Sequence, residues 1–249
     1  MKTEWDYTKL ADAYLKRPGY SRPAFQAMLS IAGLKKSDTV CDVGAGVAHL
    51  TLLLADSGLD VVAIEPNDAM RTNGMKRTEK LNNVHWQEGT GEATAQAAQA
   101  FDMVTFGSSF NVCDRQQALK ETARILKPSG WFACMWNHRQ LEDPIQSRIE
   151  ALIQERVPSY GYGTRREDQA AAIDDSGLFG SVVRLSSTVT HEQTIAECVE
   201  AWRSHATLAR QAQERFPDVV EAIENYLRSR GTQSVQIPYS TNIFVAQLK

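Results

Sequence analysis

Between Thr39 and Glu65 the chain reads TVCDVGAGVAHLTLLLADSGLDVVAIE, and this stretch limits the possible folds more than any other. Val40-Cys41-Asp42-Val43 is a short, mostly apolar run of the kind found in a buried strand. Gly44-Ala45-Gly46 makes a turn, and Leu50 to Ala55 is apolar enough for a helix that Ser57-Gly58 ends. Val61-Val62-Ala63-Ile64 is a second β-branched run, closed by the acid Glu65. Strand, glycine turn, helix, strand and acid in that order predict the first half of a nucleotide-binding α/β domain.

Each piece has a chemical use. Gly44 and Gly46 let backbone approach a ligand with no Cβ in the way. The free N–H groups of the following helix favour an anionic group at the same place. Glu65 lies about twenty residues beyond the turn, where a carboxylate can accept hydrogen bonds from ribose hydroxyls. A dinucleotide site wants a third glycine where this chain has His49. The pattern present, Asp42-x-Gly44-x-Gly46, resembles motif I of the class I S-adenosylmethionine (SAM)-dependent methyltransferases. That family usually has a further glycine where Ala48 stands, so the turn is expected to be slightly narrowed. The plain alternative is a structural α/β turn with no ligand.

The 249 residues allow one large or two small domains, and 43% hydrophobic content allows a sizeable core. A net charge of −3 without a dense Lys/Arg cluster argues against nucleic acid. Cys41, Cys113, Cys134 and Cys198 show no metal or redox spacing. No bound metal is expected. The N-terminus lacks an apolar leader and no run is long enough for a bilayer, so a cytoplasmic protein without a membrane partner is expected.

Residues 1–38 read as a helical cap. Ala11-x-x-Tyr14-x-x-Arg17-Pro18-x-Tyr20 resembles the N-terminal segment of one branch of the same family, in which Tyr and Arg meet the methionine carboxylate. By that resemblance Tyr7, Arg17 and Tyr20 line the site; by amphipathic spacing alone they simply pack. After Glu65, Pro66 opens a turn along the adenosine and Met70 packs on the adenine or in the core. Gly89-Thr90-Gly91-Glu92 is similar to the family's G-D-A-E loop, with Thr90 in place of the acid. Phe101–Phe106 is the fourth expected strand, Ala118–Leu126 a helix ended by Lys127-Pro128-Ser129-Gly130, and Trp131–Trp136 the fifth strand. The wording FD-x-V … A-L-x-E-x-x-R-x-L-K-P-x-G matches the family in place and order.

The SAM-binding core spans residues 39–137. The resemblance implies a cofactor set of Asp42, Gly44, Ala45, Gly46, Glu65, Pro66, Met70, Gly91, Glu92 and Ser108, with Arg17 and Tyr20 from the cap. Residues 138–249 hold a loop at Pro158–Gly163 that is either a lid or a connector. They also hold a sixth strand over 182–189, a helical insert at 194–231 and a seventh strand over 236–248. The implied fold is α/β, a doubly wound, mostly parallel seven-stranded sheet of order 3-2-1-4-5-7-6, in a single domain.

The resulting expectation is in-line methyl transfer to N or O of a small, planar aromatic or heteroaromatic metabolite, with proximity as the main source of rate. Natural-product tailoring enzymes, including those acting on azapteridines, share this layout. The acceptor pocket is expected to use Trp5, Tyr7, Phe110, Asn111, Trp136, Asn137, Trp202 and Tyr239. The general base that relatives carry as His after strand four is replaced by Asn111, which leaves Tyr7 and His138 as candidates. A non-aromatic carboxylate or carbon acceptor, and a non-catalytic SAM-binding module, are the alternatives. The expected state is a monomer or homodimer.

Overall fold

The structure, a computed structural model, describes residues 6–249. After a 3₁₀ turn at Thr8–Leu10 come α1 (Ala11–Tyr14) and α2 (Arg22–Ala32). Pro23 sits in the first turn of α2, where its missing N–H costs nothing, and Gly33 ends the helix at φ +64°. The core then alternates β1 (Thr39–Val43), α3 (His49–Asp56), β2 (Asp60–Ile64), α4 (Asp68–Thr78), β3 (Val84–Gln87), β4 (Phe101–Gly107), α5 (Arg115–Ile125) and β5 (Leu126–Arg139). Beyond it lie α6 (Pro144–Arg156), α7 (Gln169–Asp175), β6 (Val183–Thr194), α8 (Ile195–Arg203), α9 (Ala206–Ala212), α10 (Phe216–Ser229) and β7 (Ser234–Gln247).

The strands form one sheet of order β3-β2-β1-β4-β5-β7-β6. β7 runs antiparallel to β5 and β6, and the other pairings are parallel. Helices cover both faces. Phe106, Phe110, Phe132 and Trp136 pack with Leu119 and Ile173 on one side. On the other, Phe25 and Met28 of α2 meet Leu50 and Leu54 of α3 over Met103 and Met135. Among the described residues no helix is long and apolar enough to cross a membrane.

Two strands outgrow the lengths read from sequence. Lys127–Gly130, expected to end a helix, already belongs to β5, with Leu126 beside Phe101 and an irregular step before Met103 meets Trp131. β5 also continues through Asn137, His138 and Arg139, because β7 pairs with it as far as Arg139 opposite Tyr239. β6 likewise runs on to Thr194 opposite Ser234. The β6–β7 ribbon thus extends past the sheet, and α8, α9 and α10 between its strands build a second core with α6 (Ile149, Val199, Trp202, Ile223, Leu227). Within that insert, Thr194 caps α8 by accepting from the Glu197 N–H, and Glu197 reaches back to the Thr194 N–H.

Candidate functional site

β1 and β4 are neighbours, but the chain leaves them toward opposite edges of the sheet, β1 to β2 and β4 to β5. A crevice opens at the carboxyl ends of strands at such a switch point, where ligands of open α/β sheets bind. Here the crevice is a cleft with about 1650 Å³ of empty space, its open mouth included.

At one end lies the glycine turn. Gly44 (φ +67°) and Gly46 (φ +58°) are left-handed, and a Cβ on Gly44 would stand 2.4 Å from Ser109 Cβ. Ala48, the alanine in place of a glycine, also has φ +71°. The turn is therefore not narrowed as expected. It keeps the glycine-type conformation, and Ala48 carries the steric cost of holding it. Glu65, 6% exposed, accepts the Gly46 N–H through Oε2 and the Asn67 N–H through Oε1, each at 2.9 Å. Burial raises its pKa while those N–H bonds pull it back. One lone-pair direction on each oxygen is left for a ligand hydroxyl.

Asp42 lines the cleft but is wholly buried. It accepts hydrogen bonds from Thr51 Oγ1 at 2.6 Å and Thr105 Oγ1 at 3.0 Å, joining β1 to α3 and β4. Desolvation pushes its pKa up from 3.8 to about 7. Ala45, Pro66, Met70 and Gly91 line the same end. Glu92 lines it too, and there its Oε1 accepts the Asp114 N–H at 2.7 Å. Ser108 holds φ +61° at the end of β4 and shares a 3.0 Å hydrogen bond with the Tyr20 hydroxyl. Arg17 donates to Ser204 O at 2.7 Å and Ser204 Oγ at 3.0 Å, and lies 4.1 Å from the centre of the Tyr14 ring. The segment before β1 is thereby tied to the insert across the cleft.

Away from the turn Asn137, His138, Trp202 and Tyr239 line the wall, while Tyr7 lines it beside Val47 and Met70 at the turn end. Trp5 lies outside the described residues. Three expected acceptor residues do not reach the cleft wall. Phe110 packs against Phe106 and Phe132 in the core, each ring pair 5.4 Å apart. Trp136 is 1% exposed, and its indole N–H donates to Asn111 Oδ1 at 2.9 Å, which uses Asn111 as a structural partner. The alternation of β5 turns Trp136 into the sheet interior, one residue short of the wall.

Others reach the wall with their polar groups already engaged. Asn137 donates to Gly19 O at 2.8 Å and accepts from Thr241 Oγ1 at 2.6 Å. Trp202 is already in contact through its ring, with His205 stacked at 5.4 Å and the Arg139 guanidinium over it at 4.4 Å. His138 Nε2 donates to Arg165 O at 3.1 Å, so Nδ1 is the nitrogen that accepts the Asn242 amide at 3.0 Å. Burial and the charges of Arg165 and Arg166 lower the His138 pKa to about 4. A neutral imidazole with both nitrogens engaged has no free nitrogen here for the base role for which it was a candidate.

Sequence reasoning missed Arg139, Arg165, Arg166, Tyr162 and His205, all on the cleft wall. The signal available was Arg165-Arg166 directly after the loop Tyr160-Gly161-Tyr162-Gly163.

The methyltransferase domain family matches residues 41–134. Relatives include an uncharacterized methyltransferase of Schizosaccharomyces pombe, 27% identical over 59% of this chain and 58% of that protein. The ubiquinone/menaquinone biosynthesis C-methyltransferase of Zymomonas mobilis is 34% identical over 51% of this chain and 59% of its own. The matched part thus spans under two thirds of these relatives. The phosphoethanolamine N-methyltransferase 2 of Haemonchus contortus, solved with phosphomonomethylethanolamine and S-adenosylhomocysteine, shares the fold at TM-score 0.56 and 16% identity. That likeness covers 98% of this chain and 60% of the other. Motif, strand order and family match agree over the core: residues 41–134 match the methyltransferase domain family and sit in the seven-stranded sheet that solved methyltransferases share.

Proposed function

We propose that the protein transfers a methyl group from SAM to nitrogen or oxygen of a small molecule. The observation that carries this reading is the Glu65 carboxylate held by the Gly46 and Asn67 N–H groups at the sheet's switch point. That arrangement fits an adenosyl ligand. The carboxylate is fixed in orientation with lone pairs to spare for a ribose, and the cradle is left open by glycines. A Cβ at Gly46 would crowd Met70 Cε at 3.2 Å, and one at Gly91 would crowd Cys113 Sγ at 2.6 Å. Met70, Pro66 and Gly91 then wall the adenine, while Asp42, Ser108, Tyr20 and Arg17 bound the methionine portion. The fold-sharing enzyme from Haemonchus contortus holds S-adenosylhomocysteine, in line with this reading.

When bound, SAM supplies an electrophilic methyl on a sulfonium sulfur. The chain's part is to align a nucleophile and exclude water. Tyr7, Tyr14, Tyr162 and Tyr239 give aromatic walls, which supports a flat aromatic or heteroaromatic acceptor, as in natural-product tailoring. With His138 engaged through both nitrogens and burial pushing the Tyr7 phenol well above its ordinary pKa, the site suits an acceptor that arrives with its lone pair already available. We read residues 6–38 and the insert as two sides of one cover over the site, joined by the Arg17–Ser204 bonds. Calorimetric titration with SAM, S-adenosylhomocysteine and NAD(H) tests the reading. Micromolar binding of the adenosyl pair alone is expected, and binding of NAD(H) instead would sink it.

A further inference from the structure

We infer that the acceptor is a carboxylate anion and that Arg165 is the group that grips it; this rests on the methyl-transfer reading above. The cleft has a charge asymmetry. Its carboxylates, Asp42, Glu65 and Glu92, all sit at the glycine-turn end. The rest of the wall holds Arg139, Arg165 and Arg166, with Arg17 on the methionine side between them and the turn. Arg139 is neutralised by Glu150 at 3.0 Å. Among the described residues, no carboxylate lies within ion-pair distance of the other three.

Arg17 and Arg166 have their fixed work: Arg17 on Ser204 and the Tyr14 ring, Arg166 on Arg139 O at 3.1 Å and over the Tyr162 ring at 4.0 Å. Arg165 differs. A guanidinium has five N–H donors, and the one hydrogen bond found for it among the described residues is Nη2 to Asn137 O at 3.2 Å. Its backbone is held in place by His138 Nε2 donating to its carbonyl. Arg165, in the 3₁₀ turn Gly163–Arg166, is thus anchored to the end of β5 and lines the cleft with most of its donors uncommitted among the described residues.

Two neutral donors face the same end. His205 Nδ1 accepts the Leu208 N–H at 3.2 Å, which leaves Nε2 as the protonated nitrogen beside the cleft. Tyr239, on the cleft wall, has a hydroxyl with no partner among the described residues. Donors without acceptors and cations without anions, gathered in a partly desolvated space, call for an anion. Burial and the Arg17 charge lower the pKa of Arg165 below its ordinary value, a cost that an anionic ligand removes. SAM itself adds a net positive charge to the cleft, which increases the demand. A planar fork matches a carboxylate in a bidentate pair, and the tyrosine walls suit a flat one.

The test uses the full chain saturated with S-adenosylhomocysteine, titrated with 3-hydroxybenzoate and quinoline-2-carboxylate and with their primary amides, which have nearly the same shape without the charge. The carboxylates are expected to bind at least about tenfold more tightly than the amides. Arg165→Met should erase that preference, and Arg165→Lys should keep part of it by charge without the fork. In both variants S-adenosylhomocysteine affinity should stay within about twofold of wild type. Equal binding of acids and amides overturns the inference. So does an Arg165→Met protein that melts like wild type but loses S-adenosylhomocysteine binding, since Arg165 would then serve the cofactor. A wild-type chain that binds no S-adenosylhomocysteine brings down the methyl-transfer reading itself, a result distinct from either.

Discussion

Asp42 and Glu65 are both acids at the glycine turn, yet they answer different physical demands. Asp42 is wholly buried, and its two threonine donors do not offset the loss of water, so its pKa rises from 3.8 to about 7. The folded chain then holds a proton that the unfolded chain releases. By linkage, the stability this group contributes is full below about pH 4 and is lost as pH rises toward about 7. The difference in urea stability between Asp42→Asn and wild type should therefore move in the variant's favour across that range, by a few kcal/mol, and level off above it. A difference that does not change with pH would show that Asp42 is ionised throughout. Glu65 is oriented by two backbone N–H groups and lines the cleft. Glu65→Ala should weaken S-adenosylhomocysteine binding by about 1.5–3 kcal/mol for each charge-assisted bond lost, as read by calorimetry.

The turn after β1 and the start of α8 are the elements on which the site depends. At Gly44 a side chain meets both a left-handed backbone and Ser109 at 2.4 Å. Gly44→Ala should cost roughly 2–5 kcal/mol of stability in a denaturant titration, from the conformational and overpacking terms together. At α8 the capping box of Thr194 and Glu197 sets where the helix begins, and hence where Cys198, Ala201 and Trp202 meet the cleft. Thr194→Ala should cost about 1 kcal/mol, with a matching loss of amide-exchange protection confined to α8. These elements were unequally legible. The glycine turn announces itself because only glycine is at ease with those angles. The extra length of β5 and β6 does not, because Lys127-Pro128-Ser129-Gly130 reads locally as a stop and is carried into the strand only by pairing beside β4.

Across the whole molecule, three segments far apart in sequence close around one space. Arg17 reaches Ser204, Gln193 Nε2 reaches Lys16 O at 2.9 Å, and Asn137 holds the Pro18-Gly19 turn. Removing the Arg17 side chain should release the first segment from the insert. Arg17→Ala is expected to speed amide exchange in both α1 and α8 and to weaken S-adenosylhomocysteine binding by about 1.5–3 kcal/mol. Unchanged exchange in α8 would mean the cover is held by apolar packing alone.

The sequence by itself determined which runs of the core are strands and helices, and the glycine turn with its acid; the spatial order of the strands came with the family resemblance. The runs and the turn are written in local terms: apolar period, left-handed positions, residues at fixed spacing. Only the tertiary structure decided which aromatic and basic side chains face the cleft. Phe110, Trp136 and Trp202 are alike in being aromatic residues near the ends of elements, but one packs in a phenylalanine cluster, one bonds Asn111, and one lies against His205 and Arg139. His138 was legible as a histidine past the fifth strand, and its two partners, Arg165 O and Asn242, come from other parts of the chain. Periodicity reports which face of an element is buried. It does not report what meets that face, because the partner is supplied by segments a hundred residues away.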